Sequence, residues 1–527
     1  MSKNFYITTT LPYVNNDPHI GFALEIVRAD TIARYKMLKG YEVFFNTGTD
    51  EHGQKLFVSA EKAGVDVKDY VDEYAGKFRE LVKPLGILDE VHFIRTTDEK
   101  HVQAAQEFWK RCDKNDYIEK RTYQSKYCVG CELEKTDSEL VEGECPVHPG
   151  QQLELRNEEN YFFKFSAFTE KLLALYASTP DFVVPDFRFN EIRAFVERGL
   201  QDFSISRLKE KMPWGVPVPG DTDHVMYVWF DALVNYISTL DWPSYSEDSN
   251  DKPSFENNLF NKFWVNGTPV QYCGKDNLRQ QSAMWQAMLL SVDLPPSRQI
   301  VINGFVNVGG QKMSKSLGNV VNPLTLIEAY GTDALRYYCL RELHPFEDSD
   351  YTDEKFKNAY NGNLANGLGN LLSRVLKMTE TYFGGNISDK SEVVLPMRFQ
   401  LPGGDESSEG MSLHYFIKQT VLPEYDRAFS AYELNRALDS VWSLIQKLDE
   451  YITEYEPFKL VKTDKDKTEA VLWNTLVGLH YISTLLAPAL PETSKIIKEH
   501  IGANLIDGEP KTFKTQPLEK PLFMRKD

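Results

Sequence analysis

The first fifty residues constrain this chain more than any other stretch. Residues 5–9 are aromatic and β-branched and read as a strand. Leu11-Pro12-Tyr13 then leads into a turn holding Asn15, Asn16, Asp17 and Pro18. Over residues 21–38 the apolar positions Ala23, Ile26, Val27, Ile32, Ala33, Tyr35 and Met37 fit a helix, which Gly40 closes. A buried strand at 42–47 follows. Strand, glycine-bearing turn, helix and strand open a parallel α/β sheet, because parallel neighbours need a crossover and a helix supplies it. Ligands of such a sheet sit at the carboxyl ends of its strands, beside helix N-termini whose N–H groups favour anions.

The same rhythm resumes far downstream. Residues 225–229, 270–272 and 299–302 read as strands, with helices near 231–240 and 277–290 between them. A helix at about 98–114 ends the first run, and residues 118–222 interrupt it as an inserted domain. Residues 241–261, rich in Ser, Asp, Asn and Pro, read as a surface loop. After about 350 the pattern is helical, with helices at 364–383, 412–429, 434–455 and 470–500 and a long exposed connection at 386–410.

At 527 residues the chain exceeds what one core fills, so about two to four domains are expected. Hydrophobic residues at 42% and aromatics at 13% place it among globular proteins. No apolar run approaches the roughly 20 residues that span a bilayer. Threonines and an early proline break any signal-peptide core near the N-terminus, so the expected location is the cytoplasm, with no membrane partner. The net charge of −18 runs against a general nucleic-acid binder. A reader of nucleic acid on this chain must concentrate its positive charge locally.

Two short strings carry the chemistry. Pro18-His19-Ile20-Gly21 sits in the turn before the first helix, where His19 can meet an ATP phosphate and Gly21 lets a nucleotide approach the backbone. Lys312-Met313-Ser314-Lys315-Ser316 follows Gly309 and Gly310, between a strand and a helix starting near Pro323. Two lysines on such a loop can close on a pyrophosphate as charge develops in the transition state. Alone, the first is an ordinary turn and the second a solvated basic loop. Together, in this order and about 290 residues apart, they resemble the HIGH and KMSKS pair of class I aminoacyl-tRNA synthetases.

The resemblance narrows to the methionyl-tRNA synthetase family and runs over essentially the whole chain. Its other carriers are Leu11-Pro12-Tyr13-Val14-Asn15, the segment Thr47 to Gln54, Tyr227-Val228-Trp229-Phe230-Asp231-Ala232-Leu233 with Tyr236, and Gly274-Lys275-Asp276. It implies a Rossmann-type parallel-sheet catalytic domain in two halves, 1–117 and 223–305, split by a zinc-bearing connective domain at 118–222. A KMSKS loop and stem region at 306–352 and a helical anticodon-binding domain at 353–527 complete the implied order. The implied activity is methionine–tRNA ligation: methionine attacks the α-phosphate of ATP, pyrophosphate leaves, and methionyl passes to the 3′ end of tRNA(Met). His19, Lys312 and Lys315 would be catalytic. His19, Gly21, Gly274, Asp276, Lys312, Ser314 and Lys315 would hold ATP, with magnesium bridging its phosphates. Leu11, Tyr13, Val228, Trp229, Ala232, Tyr236 and Gln281 would line a pocket for the thioether chain, and Asp50 would pair with the amino group. Aromatic rings suit a polarizable methionine side chain, and a buried carboxylate suits an ammonium. Asn370 and Arg374, four apart and so on one helix face, would read anticodon base edges, and Phe458 would stack on an unpaired base. A monomer is expected.

Cys128-Val129-Gly130-Cys131 and Cys145-Pro146-Val147-His148 stand 13 residues apart. Clustered cysteines in a large cytosolic chain indicate metal, and three thiolates with one imidazole make a closed, structural zinc site. This local cluster argues against a cysteinyl-tRNA synthetase, which resembles the body but gathers zinc ligands from separated positions. Leucyl, isoleucyl and valyl relatives carry an editing insertion too large for this chain. A small-molecule nucleotidyltransferase needs no helices after the second string, and a non-catalytic RNA-binding relative needs no intact His19, Asp50 and Lys312. Departures from the family pattern are Phe22 for the second His of HIGH, Phe458 for an anticodon tryptophan, Gln281 for a histidine, and Asn277 for an aliphatic residue.

Overall fold

The computed structural model describes residues 3–128, 133–135, 140, 143–146, 150, 152–243, 258–313, 318–397, 411–506 and 508–527. The chain forms two compact units. One comprises Met1–Asp17, Asn46–Arg79 and His92–Ile302, the other Pro18–Phe45, Glu80–Val91 and Asn303–Asp527.

A six-stranded sheet frames the first unit. Its strands are β1 (Asn4–Thr9), β2 (Glu42–Thr49), β3 (His92–Arg95), β4 (Val183–Val184), β5 (Thr268–Gly274) and β6 (Gln299–Asn303), in the spatial order β3-β2-β1-β5-β6-β4. β1 runs parallel to β5, β2 to β3 and β6 to β4. Phe5, Tyr6, Ile7, Val270, Tyr272, Ile300 and Val301 are all buried, as strands covered on both faces require. The chain works outward from β1 to β3 and returns on the other side of β1 as β5. The carboxyl ends of β1 and β5 are therefore adjacent at the point where strand order reverses, which is where open α/β sheets bind ligands. The α/β body with helices after it is the expected class.

Two residues of the interrupting stretch, Val183 and Val184, complete this sheet as its edge. The other described strands of the stretch pair antiparallel, chiefly Ile118–Cys128 with Glu154–Phe163 from Ile118↔Phe163 to Tyr127↔Glu154, and helices Thr169–Ser178 and Asp186–Glu197 follow. The strand expected at 225–229 is shorter and lies elsewhere. His224–Met226 pairs antiparallel with Ser206–Leu208, and the chain is already helical at Val228. Buried Val225 and Met226 mark a strand but carry no information about which sheet receives it.

Between β1 and β2 the chain passes through α1 (Ile20–Leu38), which belongs to the second unit. α1 buries Ala23, Leu24, Ile26, Val27 and Ile32, and with them Arg28 and Asp30, both fully. The Arg28 guanidinium donates to the carbonyls of Cys339, Leu343, His344 and Pro345 at 2.8–3.2 Å. Asp30 accepts from Arg336 at 2.7 Å, Arg34 at 2.8 Å and the Leu88 amide at 2.8 Å. Buried charges persist only when hydrogen-bonded this completely. The same unit holds a small sheet in which Val306–Val308 lies between Gln311–Lys312 and Ser349–Tyr351.

In the first unit, α2 (Glu99–Lys114) buries His101, Phe108 and Trp109, and α3 (Val228–Ala232) follows the short strand. The C-terminal helices of the second unit are led by α4 (Asn370–Phe383), α5 (Leu434–Tyr455), α6 (Lys465–Leu486) and α7 (Pro491–Ile501). The single helix expected over 470–500 is two, because Pro488 and Pro491 lack the N–H that would continue it. Asn386–Ile387, at the start of the expected connection, forms an antiparallel sheet with Ala503–Ile506 and Glu509–Lys514, where no strand was expected. Residues 398–410 of the expected connection, and 244–257 of the expected loop, lie outside the described residues. Among the described residues no helix is long and apolar enough to cross a membrane.

Candidate active site

The loops that follow β1 and β2 gather the residues expected to hold an amino acid. The Asp50 amide donates to the Pro12 carbonyl at 2.9 Å and the Val14 amide to the Asp50 carbonyl at 3.3 Å, so Tyr13 and Asp50 face each other as a parallel bridge. Leu11 is buried beside them. Gly53 has φ +122°, and a Cβ there would stand 2.6 Å from the Tyr13 hydroxyl, so only glycine fits. Within this loop the polar groups are densely paired. Both oxygens of Glu51 take Arg95 at 2.7 Å, and Thr49 and Thr97 donate to them at 2.5 Å. The Trp214 indole donates to the Glu51 carbonyl at 2.6 Å. Asp50 is the exception: its Oδ1 is buried without a hydrogen-bond partner. Burial first, then the charge of Asp231, pushes its carboxyl well above the usual range. Burial, reinforced by Asp50, also pushes the Tyr13 phenol up. An entering ammonium would answer that orphaned oxygen.

Aromatic groups of the same unit supply the apolar part. Tyr227 meets Trp229 edge to face at 5.6 Å, and the Arg207 guanidinium lies 4.4 Å from the Tyr227 ring. Trp229 is 41% exposed, a large ring without full cover, and Val228 and Ala232 beside it are half-buried. Tyr236 is buried, and its hydroxyl accepts from Gln281 Nε2 at 2.5 Å. Gln281 in turn accepts from Gln271 at 2.7 Å, and its carbonyl accepts from Gln286 at 2.7 Å. The residue standing where a histidine was expected is thus locked by amides and cannot titrate. Gly274 ends β5 and Lys275 and Asp276 follow it, where the Asn277 side-chain Nδ2 donates to Asp276 Oδ1 at 3.2 Å.

In the second unit the two phosphate strings meet. His19 is the N-cap of α1, and its Nδ1 accepts from the Gly21 amide at 3.0 Å. A Cβ on Gly21 would stand 2.8 Å from the His19 ring, so a side chain there would press on the imidazole. On its open side that Cβ position is 3.7 Å from Met313 Cε, and the Ile20 amide bonds the Val321 carbonyl at 3.0 Å. The beginning of α1 therefore lies beside Met313 of the KMSKS string and is bonded to Val321 beyond it. With Nδ1 occupied and burial lowering its pKa, His19 is a neutral imidazole carrying its hydrogen on Nε2, a donor rather than a cation. Lys312 is exposed on the hairpin turned by Gly309 and Gly310, with its ammonium 5.1 Å from the Phe305 ring. Ser314 and Lys315 lie outside the described residues.

These meeting strings fix the family. The family model for class I tRNA synthetases (M) matches residues 5–376. The chain belongs to the methionyl-tRNA synthetases. It is 38% identical to the methionine–tRNA ligase of Thermotoga maritima over 96% of this chain and 79% of that one. It is 40% identical to that of Synechocystis over 94% and 89%. The structure of Mycobacterium tuberculosis methionyl-tRNA synthetase in complex with methionyl-adenylate superposes with a TM-score of 0.85 at 34% identity, covering both chains in full.

In the helical region, Asn370 opens α4 exposed, and Arg374 one turn later donates to Asp449 at 2.7 Å, with its Nε buried and unpartnered. Phe458 is 48% exposed. Of the four expected metal ligands, Cys145 is buried, the side chain of Cys128 is not described, and Cys131 and His148 lie outside the described residues. Sequence reasoning quoted His52 and Asp231 inside motif strings without giving them a task, and passed over His101. The available signal was a lone acid in the mainly apolar run around 225–237.

Proposed function

We propose that the two groups of residues divide the work of a methionine–tRNA ligase between substrate choice and phosphate chemistry. The chain is a methionine–tRNA ligase, an ATP-dependent enzyme. The observation that carries the division is the buried, unpartnered Asp50 oxygen on the one hand and the neutral His19 facing the KMSKS string on the other.

Asp50 holds the ammonium of methionine, and Leu11, Tyr13, Val228, Trp229, Ala232 and Tyr236, backed by Gln281, receive the thioether chain. The methionine carboxylate attacks the α-phosphate, pyrophosphate leaves, and no protein nucleophile takes part. The Nε2–H of His19 donates to a phosphate oxygen, and Lys312 and Lys315 meet the charge that grows on the leaving pyrophosphate. Gly21, Gly274, Asp276 and Ser314 complete the ATP contacts, and magnesium enters with ATP. Methionyl-adenylate then gives its acyl group to the 3′ end of tRNA(Met), whose anticodon meets Asn370, Arg374 and Phe458. The donor set of Cys128, Cys131, Cys145 and His148 suits a tetrahedral structural zinc. The enzyme acts as a cytoplasmic monomer in this reading. Its test is ATP–pyrophosphate exchange driven by single amino acids. Methionine should drive it far better than cysteine, leucine or valine, and exchange indifferent to methionine would defeat the reading.

A further inference from the structure

One buried side chain joins the loop of Asp50 to the helix of Trp229, and the mechanism above leaves it unused. Asp231, on α3, has no exposure. Its Oδ2 is 2.6 Å from His52 Nδ1 and its Oδ1 is 2.8 Å from His101 Nε2. His52 belongs to the Asp50 loop and packs 5.7 Å from the ring of Trp214, whose indole N–H holds the Glu51 carbonyl of that same loop. His101 belongs to α2, and its Nδ1 is 2.9 Å from the hydroxyl of Ser238, beyond α3. For one carboxylate to accept from both rings, His52 must carry hydrogen on Nδ1 and His101 on Nε2. Burial alone would raise the Asp231 carboxyl, but His52 and His101 hold it down to about 2, so it remains an anion. Removing either imidazole donor leaves a buried charge half-satisfied.

We propose that Asp231 is a positioning residue for methionine, tying the Asp50 loop through His52 and α2 through His101 so that the ammonium contact and the Trp229 wall are held at one separation. The proposal rests on the reading of this pocket as the methionine site. It follows that the tie acts on methionine affinity and not on phosphate chemistry, whose groups lie on other elements. A buried polar contact to a ligand left unmet costs about ten- to a hundredfold in affinity.

The test measures methionine dissociation constants, the KM for ATP and kcat in pyrophosphate exchange for four variants of the full chain. Asp231→Asn presents an amide donor to one imidazole donor and should weaken methionine by about 10- to 100-fold, with the ATP KM and kcat at saturating methionine nearly unchanged. His52→Phe keeps a ring against Trp214 without the donor and should lose methionine similarly. His52→Asn returns an N–H near the Nδ1 position and should recover most of that loss. In the Asp231→Asn/His52→Phe double variant the loss should not exceed the larger single loss, because the tie is already broken. Wild-type methionine affinity in His52→Phe, no recovery in His52→Asn, equal damage to methionine and ATP parameters, or multiplied losses in the double variant would each overturn the proposal. Should Asp231→Asn fail to fold, the His52 pair decides alone. Asp50→Asn is the control: if it binds methionine normally, the reading of the pocket fails, and if it alone loses methionine, only the role of Asp231 fails.

Discussion

The proposed amino-acid site and the proposed phosphate site are built on opposite plans. Around Asp50 nearly every polar atom is committed: Glu51 to Arg95 and two threonines, His52 to Asp231, Gln281 to Tyr236 and Gln271. One carboxylate oxygen, Oδ1 of Asp50, is left without a partner, and in the proposed reading it meets the ammonium. Around His19 and Lys312 the reverse holds. One imidazole caps its own helix, and an exposed ammonium sits over a ring on a glycine-turned hairpin. The difference follows from what each site recognises. Selecting a side chain requires preformed walls and fixed donors, because a pocket that yields admits neighbours in size. A triphosphate is recognised by charge, and a lysine on a loop can follow that charge as it moves from the α-phosphate to pyrophosphate.

The comparison breaks first at the groups proposed to meet the phosphates. His19→Ala and Lys315→Ala should each slow adenylate formation by roughly 10²–10³ while leaving the methionine dissociation constant near that of the wild type, as single-turnover measurements would show. Loss of methionine binding in either variant would mean that the two plans are not separate.

Next comes Asp50→Asn, which should weaken methionine by about 2–5 kcal/mol, thirtyfold or more, because it leaves a buried ammonium unpaired. Its stability should move the other way. The folded-state carboxyl is raised, so the folded chain prefers the proton. The part of wild-type stability set by Asp50 is therefore fullest at acid pH and is lost as pH climbs from the ordinary carboxylate value through the raised one. The neutral asparagine escapes that loss, so its melting temperature should exceed the wild type's at neutral pH, with the gap closing in acid. Because binding an ammonium favours the ionised carboxylate, methionine affinity of the wild type should fall as pH drops through the raised value. Affinity flat across acid pH would sink the assignment.

A third expectation separates both sites from the anticodon helices. Phe458→Ala should lower tRNA charging roughly tenfold, one lost base stack, and spare pyrophosphate exchange. The smallest effect belongs to Phe22, which has no hydrogen-bonding group. Phe22→Leu should change adenylation far less than Lys315→Ala, and a comparable slowing would show that the ring contributes to catalysis.

The phosphate plan was the more legible in sequence, because its parts are short contiguous strings whose chemistry is that of the residues themselves. The sheet was legible too, since β1, β5 and β6 are apolar runs of strand length. The amino-acid plan was legible only as a list. Nothing in residues 225–237 says that Asp231 faces two histidines from other elements, because hydrophobic periodicity reports burial and not hydrogen-bond partners. The same blindness hid Arg28 and Asp30 inside α1, and gave two residues at 183–184 no weight as a sheet edge.

Arg28 bears on how this enzyme can change over generations. Its guanidinium is received by four main-chain oxygens, at Cys339, Leu343, His344 and Pro345. α1 starts at the His19 cap, and the segment Arg28 grips leads into Ser349–Tyr351, which pairs with the strand beside Lys312. Every amino acid brings a carbonyl, so exchange of the side chains at these four positions leaves the grip intact. Adding or deleting a single residue between 339 and 345 would carry those oxygens out of reach. The alignment of the two phosphate motifs is thus indifferent to spelling at this joint and strict about length.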